Sequence, residues 1–193
     1  SGILEIGLNE EIRIASTNLD PMRFPDSANM QQMNQLGRLN VPNNCGDHDG
    51  DGDLDYICGV GARSFSIWTT DLEMVWDSGH DFSQYSTNNG QHLVDEMNTR
   101  DDNKGIEPEG VKVGEIDGRQ YLFVSMERSF GVMIYDITDP NNPSFQQWIQ
   151  VDGSSNPEDM EFVSADVSPT GAPLLLVANE DSGSVGIWEL MLI

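Results

Sequence analysis

Tyr121-Leu122-Phe123-Val124-Ser125-Met126-Glu127 and Leu174-Leu175-Leu176-Val177-Ala178-Asn179-Glu180 are near-copies of one apolar run, and they decide the fold. Gly131-Val132-Met133-Ile134-Tyr135-Asp136-Ile137 follows the first and Ser184-Val185-Gly186-Ile187-Trp188-Glu189-Leu190 the second, without a gap, at an offset of 53 residues. Upstream, Pro108-Glu109 matches Pro157-Glu158 at an offset of 49, so four residues are inserted in the second copy, around Ser168-Pro169-Thr170-Gly171. Each copy reads as a strand, a turn carrying Gly or Ser with charge, and a strand ending in an aromatic, which is the grammar of a β-propeller blade. Apolar runs bounded by Gly, Pro, Asn and Asp support strands throughout this half. A weaker third copy runs from Tyr56 through Arg63-Ser64-Phe65-Ser66-Ile67-Trp68.

The predicted fold class is therefore mainly β: about three antiparallel, propeller-like blades with one short helix and long loops. A closed propeller takes four to eight blades. The expectation is either an incomplete propeller, closed by the N-terminal segment, or a related antiparallel arrangement. Residues 28–36 are the one stretch expected to be helical, capped by Asp26 or Ser27. Residues 80–104 read as a long loop.

The sequence Asp47-His48-Asp49-Gly50-Asp51-Gly52-Asp53-Leu54-Asp55 sets five carboxylates at alternate positions, relieved by two glycines. In the calcium loop of EF-hands, carboxylates at positions 1, 3 and 5 chelate and a glycine at position 6 permits the sharp turn. Asp47 to Gly52 match that half. Position 12 falls on Cys58, and Tyr56-Ile57-Cys58-Gly59-Val60 reads as a strand rather than a helix. Asp47, Asp49, Asp51, Asp53 and Asp55 are the candidate calcium ligands, to be completed by a carboxylate from elsewhere or by water. The alternative is a solvated acidic turn, in which neighbouring carboxylates repel. Cys45 and Cys58 flank the loop. A bridge between them would add about 3 kcal/mol in chain-entropy terms, but spacing alone leaves bridge and free thiols both open.

With 33 Asp+Glu against 9 Lys+Arg, the formal charge is −24. That sign excludes nucleic acid as a partner and disfavours an anionic membrane surface. No apolar run approaches the roughly 18 residues of a spanning helix. Weak acidic sites fill at the millimolar calcium found outside cells, so the charge points to an extracellular module. At 193 residues and 37% hydrophobic content the chain is long enough for a core and is read as a single domain over residues 3–193. Ser1-Gly2 reads as a cleavage scar.

A second acidic constellation is Arg100-Asp101-Asp102-Asn103-Lys104-Gly105-Ile106-Glu107-Pro108-Glu109. Asp101, Asp102, Asn103, Glu107 and Glu109 offer only oxygen, the donor set of a hard cation. The alternative is a solvated loop in which Arg100 and Lys104 pair with Asp101 and Glu107. Glu158 and Asp159 occupy the repeat positions of Glu109 and Gly110, so acids gather at equivalent strand entrances. Arg100, Asp102, Lys104, Glu109, Glu158 and Asp159 form the candidate ligand-binding wall. Glu127 and Glu180 are also repeat-matched, and each needs a partner if buried: Arg128, Lys112 or a cation. Trp68, Tyr135 and Trp188 recur at a matched position and read as core filler, whereas Trp76, Tyr85 and Trp148 are candidates for lining a pocket.

The acidic loop, Gly61-Ala62-Arg63-Ser64-Phe65-Ser66-Ile67-Trp68, Asp77-Ser78-Gly79, Asp102-Asn103-Lys104-Gly105 with Glu107-Pro108-Glu109-Gly110, Met126-Glu127-Arg128, Tyr135-Asp136-Ile137 and the stretch Ser168 to Glu180 together resemble the choice-of-anchor I domain of bacterial surface and secreted proteins. The resemblance implies a propeller-like fold of which this chain matches the C-terminal half. A free-standing acidic unit of this size is also similar to the calcium-dependent peptide-binding domain of bacterial RTX adhesins. One departure is that the second Pro-Glu-Gly is Pro157-Glu158-Asp159 here.

The function expected is thus a calcium-dependent, ligand-binding (peptide-binding) module of a bacterial surface adhesin. In it calcium bridges the acidic domain to a peptide or protein C-terminus, or to another acidic ligand on a host or neighbouring cell. The domain is expected to be monomeric, within a longer protein, without membrane insertion. The alternatives are a calcium-stiffened spacer and a fragment of a calcium-dependent phosphatase- or esterase-like propeller. Enzyme signatures are mostly absent: His48, His80 and His92 are not at zinc spacing, and there is no nucleophile elbow or phosphate-cradling loop.

Overall fold

The computed structural model describes residues 11–59, 63–88, 106–150 and 156–192. These fall into two compact units, the first holding residues 11–59 and the second the remainder. The described residues are mainly β, in four small antiparallel sheets with two short α-helices. The described residues close neither a barrel nor a propeller.

In the first unit, β1 (Glu11–Arg13) pairs with β2 (Asn40–Pro42), and Ile14, Leu19 and Val41 form a small core with Ile12, Phe24, Leu39, Leu54 and Ile57. The helix expected over 28–36 is only one turn, α1 (Ser27–Met30). Its continuation has no apolar stripe to bury, since Met33 and Leu36 stay exposed, and a short helix without a buried face does not propagate. Instead Gln31 Nε2 donates to the carbonyls of Ile14 and Thr17 at 3.0 and 2.6 Å, and turns follow.

The second unit contains β3 (Ser66–Trp68), β4 (Met74–Asp77), α2 (Asp81–Asn88), β5 (Pro108–Ile116), β6 (Arg119–Met126), β7 (Gly131–Asp136), β8 (Ser144–Gln150), β9 (Pro157–Val163), β10 (Leu174–Asn179) and β11 (Ser184–Glu189). The repeat predicted from sequence is visible as two meanders, β5-β6-β7-β8 and β9-β10-β11. The four inserted residues fall in the connection from β9 to β10, where the first copy has only the tight Asp117-Gly118 turn. Both turn residues have positive φ, 50° and 78°, as a two-residue hairpin requires.

The near-continuous apolar runs are explained by burial on both faces of the four-stranded sheet. Leu122, Val124, Met126, Met133 and Tyr135 point to one core with Phe65, Phe82 and Ile106. Their neighbours Tyr121, Phe123, Val132 and Ile134 point to the other, shared with Met160, Leu175 and Val177 of the three-stranded sheet. Side chains alternate across a strand, so β6 and β7 serve two cores at once.

Three expectations are corrected here. Residues 81–88 form a helix rather than loop, because Phe82, fully buried, and Tyr85, three residues on, pack toward the first core. Tyr56 to Gly59 is not a strand, and the third copy is reduced to the β3–β4 hairpin. Trp68, expected inside, is 55% exposed, while Trp76, Tyr85 and Trp148 are partly buried against the first core.

Candidate metal centres

The acidic loop is fixed at both ends. Cys45 and Cys58 form a disulfide with Cα atoms 6.1 Å apart. The segment also leans on a parallel bridge between Leu19 and Leu54, with the Leu54 N–H donating to the Asn18 carbonyl at 2.9 Å. Inside the loop, Asp47 accepts the N–H of Gly50 on one oxygen (2.7 Å) and of Gly52 on the other (3.0 Å). Asp49 accepts from Asp51, and Asp51 from Asp53. Gly50 and Gly52 sit at φ 81° and 97°, a conformation that only glycine adopts freely. These turns gather Asp47, Asp49 and Asp51, all exposed, with carboxylate oxygens within 4.8 Å of one another. Two oxygens bound to one calcium at about 2.4 Å lie no farther apart than that, so the three fit a single ion.

Asp53 and Asp55 lie outside that group of three. Asp55 turns back to accept the His48 N–H at 2.8 Å. Asp53 has its carboxyl pushed above the ordinary range by desolvation first, then by Asp51 and Asp20. Asp20 is a carboxylate from outside the loop whose charge acts on it.

In the second unit, the repeats converge at one end of the two meanders. Glu107 and Asn156, each directly before the proline that opens β5 or β9, have φ of 50° and 59°. The Glu127 N–H donates to the Glu107 carbonyl at 2.9 Å, and the Glu180 N–H to the Asn156 carbonyl at 3.0 Å. Phe130 and Gly183, a further matched pair in the following turns, also share positive φ. A Glu and a Phe in this region are strained.

The same end brings five glutamates around one arginine. Arg128 donates to Glu107 at 2.8 Å and to Glu127 at 2.5 Å. Glu109, exposed, Glu127, buried, and Glu158, half-buried, hold carboxylate oxygens within 4.8 Å of one another. Glu158 shares hydrogen bonds with Glu109 and Glu180; its pKa is raised first by the bond to Glu109 and then by desolvation, against a lowering by the bond to Glu180, and the pKa of Glu180 is raised first by its bond to Glu158. Glu127 is pushed up to about 8, by burial first, then by its hydrogen bond to Glu107; the opposing pull of Arg128 is outweighed. Next to Glu180, the buried Asn179 carries a carboxamide oxygen with no hydrogen-bond partner among the described residues.

Gly110 permits this approach. A Cβ there would lie 2.8 Å from the Glu158 carbonyl oxygen and 2.9 Å from Ser125 Oγ, which itself accepts the Gly110 N–H at 2.8 Å.

Of the residues expected from sequence, Glu107, Glu109 and Glu158 lie in this cluster. Asp159 does not join the group of three: it is exposed, accepts the Met160 N–H and adds to the field on Lys112, which pairs with Glu161 at 2.8 Å. Arg100, Asp101, Asp102, Asn103 and Lys104 lie outside the described residues. Glu127, Glu180 and Arg128 were not among the expected ligands. The gapless match of Glu127 with Glu180 was the signal that marked them.

The profile of the choice-of-anchor I domain family matches residues 7–140, more than half of the chain. The match spans the acidic loop and the first meander through β7, and ends before the second. Gigasin-3a of Magallana gigas is 28% identical over 185 residues, covering 80% of this chain. The chain spans 64% of the length of that curated relative. No solved structure matches. Among the described residues no helix is long and apolar enough to cross a membrane. The chain belongs to the choice-of-anchor I domain family, a membership that implies a cell-surface or secreted protein.

Proposed function

We propose that this domain binds calcium and, through it, a carboxylate-bearing ligand such as an extended peptide or a protein C-terminus, outside the cell or at its surface. The observation that carries the calcium reading is the Asp47, Asp49 and Asp51 triad, preset by glycine turns and closed by a disulfide. Its donors are oxygen only, which suits calcium and not zinc. The Glu109, Glu127 and Glu158 group is the ligand-facing centre in this reading. Support comes from the exposure of Glu109 and from the backbone strain at Glu107. An ion there relieves the mutual repulsion of the glutamates and reverses the local field, so that an anionic group can approach a strongly acidic protein. The sheets act in this reading as successive propeller-type blades whose strand ends carry the site, and the module has no turnover of its own.

Calorimetric titration with calcium tests the first half: no binding heat, and unchanged melting in EDTA, reject it. Peptides with free and amidated C-termini, compared with calcium and in EDTA, test the second. Binding that ignores both differences rejects the bridge. Calcium binding without any ligand leaves the stiffened spacer, and release of phosphate from a phosphoester favours the hydrolase.

A further inference from the structure

We propose that the tip of the β3–β4 hairpin is a docking element, through which Leu72 enters an apolar pocket rimmed by lysine or arginine on a partner protein. The hairpin loop supplies the first argument. The Leu72 N–H donates to the Thr69 carbonyl at 3.1 Å and the Thr69 N–H to the Glu73 carbonyl at 2.9 Å, which leaves Thr70-Asp71-Leu72 as the loop. The last residue of such a three-residue loop is left-handed and ordinarily glycine. Here it is a leucine, at φ 63° and 81% exposed. Within the domain the leucine gains from neither condition: its Cβ strains the backbone and its apolar surface stands in water. A local rule broken at an exposed position points to a use outside the fold. The loop itself is firmly closed. The Glu73 N–H also donates to Thr69 Oγ1 at 3.1 Å, and at the base the Phe65 N–H donates to Ser78 Oγ at 3.0 Å and the Ser78 N–H to the Phe65 carbonyl at 2.9 Å. Ile67 and Trp76, paired in register, pack against the first core, so the next pair, Trp68 and Met74, faces away from it, 55% and 59% exposed. Three large apolar side chains are thus displayed at or beside one turn.

Charge selects the occupant. Asp71 and Glu73, both exposed, flank Leu72, so whatever receives the leucine receives two carboxylates with it. An anionic lipid surface repels them, and a neutral one offers no counter-charge for their desolvation. A second copy of the chain carries the same charge of −24, and among the described residues Lys112, Arg119 and Arg128 already pair with Glu161, Asp136 and Glu107. A protein pocket with an apolar floor and a basic rim satisfies the leucine and its flanking acids together.

The contact is independent of calcium and is tested on the full chain in EDTA, at about 0.15 M salt. The probe is an amphipathic helical peptide of leucine and lysine, about four turns long, whose apolar stripe is rimmed by lysines; binding is read by calorimetry. Leu72→Asn, which suits the left-handed conformation, should melt no lower than the wild type and bind the peptide at least tenfold more weakly. Trp68→Ser should weaken binding in the same direction. Asp71→Asn combined with Glu73→Gln should weaken it too, whereas Glu115→Gln combined with Glu189→Gln, which removes as much charge from exposed positions of the same unit, should not. Failure of the peptide to bind overturns the proposal. So does binding that Leu72→Asn leaves unchanged, or that the two charge pairs weaken equally, since that is attraction to net charge alone. A lower melting temperature in Leu72→Asn overturns it by giving the leucine a structural role. Adsorption to phosphatidylcholine vesicles, or dimerisation, that is lost in Leu72→Asn overturns it in favour of a lipid surface or a second copy.

Discussion

Glu127→Gln isolates the electrostatic strain of the glutamate cluster. Glu127 is 5% exposed and is pushed up to about 8 from an ordinary 4.5. A carboxyl whose folded pKa exceeds its unfolded value binds its proton more tightly in the native state. Its stabilising contribution is therefore complete below about pH 4.5, declines through the interval, and is lost above about pH 8. At 1.36 kcal/mol per pH unit, the interval corresponds to a loss on the order of 5 kcal/mol for the calcium-free protein. Glu158, raised first by its hydrogen bond to Glu109, and Glu180, raised first by its hydrogen bond to Glu158, act with the same sign. Glutamine keeps the shape and the neutral state at every pH. In EDTA, the variant should match the wild type near pH 5 and melt higher at pH 8.5, by several degrees for a chain of this size. Calcium at pH 8.5 should raise the wild-type melting temperature and largely remove the difference. Parallel pH profiles for the two proteins would refute the reasoning, because they would mean that Glu127 is ionised at no cost.

Asp49→Ala and Asp51→Ala should each weaken calcium binding in calorimetry by tenfold or more, while Asp26→Ala, an exposed acid of the same unit outside the loop, should not. Cys45→Ser opens the 13-residue separation closed by the disulfide and should lower stability by about 3 kcal/mol in denaturant melts and loosen calcium binding together with it. Gly110→Ala puts a methyl into the Glu158 carbonyl and Ser125 hydroxyl; β5 and β9 must move apart, at a cost of about 1–3 kcal/mol in melting, with weaker binding of any ion held by Glu109 and Glu158.

Much of the fold was legible because repetition is readable without alignment. The offsets of 53 and 49 located both meanders and the inserted turn, and they hold down to matched hydrogen bonds and left-handed residues. Asp47, Asp49 and Asp51 were legible because an isolated loop encodes its own geometry. Helix α2 was not, since Phe82 and Tyr85 stand in a polar context and only a core built by β6 and β7 gives them something to bury against. Arg128 and Glu127 were underweighted for a related reason. Their meeting with Glu107 depends on a hairpin bringing residue 127 back to residue 107, a pairing visible only when the strands are laid side by side. The disulfide needed the distance between two backbones, which spacing does not provide.

The double service of β6 and β7 has a dynamic consequence. An element that contributes alternate side chains to two cores cannot be released by loosening either one, because the other still holds it. Fluctuations that peel away α2 and the β3–β4 hairpin, or the three-stranded sheet on the opposite side, leave these two strands protected. Their amides should exchange with solvent only through global unfolding, while those of the flanking sheets exchange through cheaper partial openings. Glu127 and Arg128 follow directly from the end of β6, so this half of the glutamate cluster is tethered to the slowest-opening part of the molecule, and Glu158 and Glu180 to a faster one.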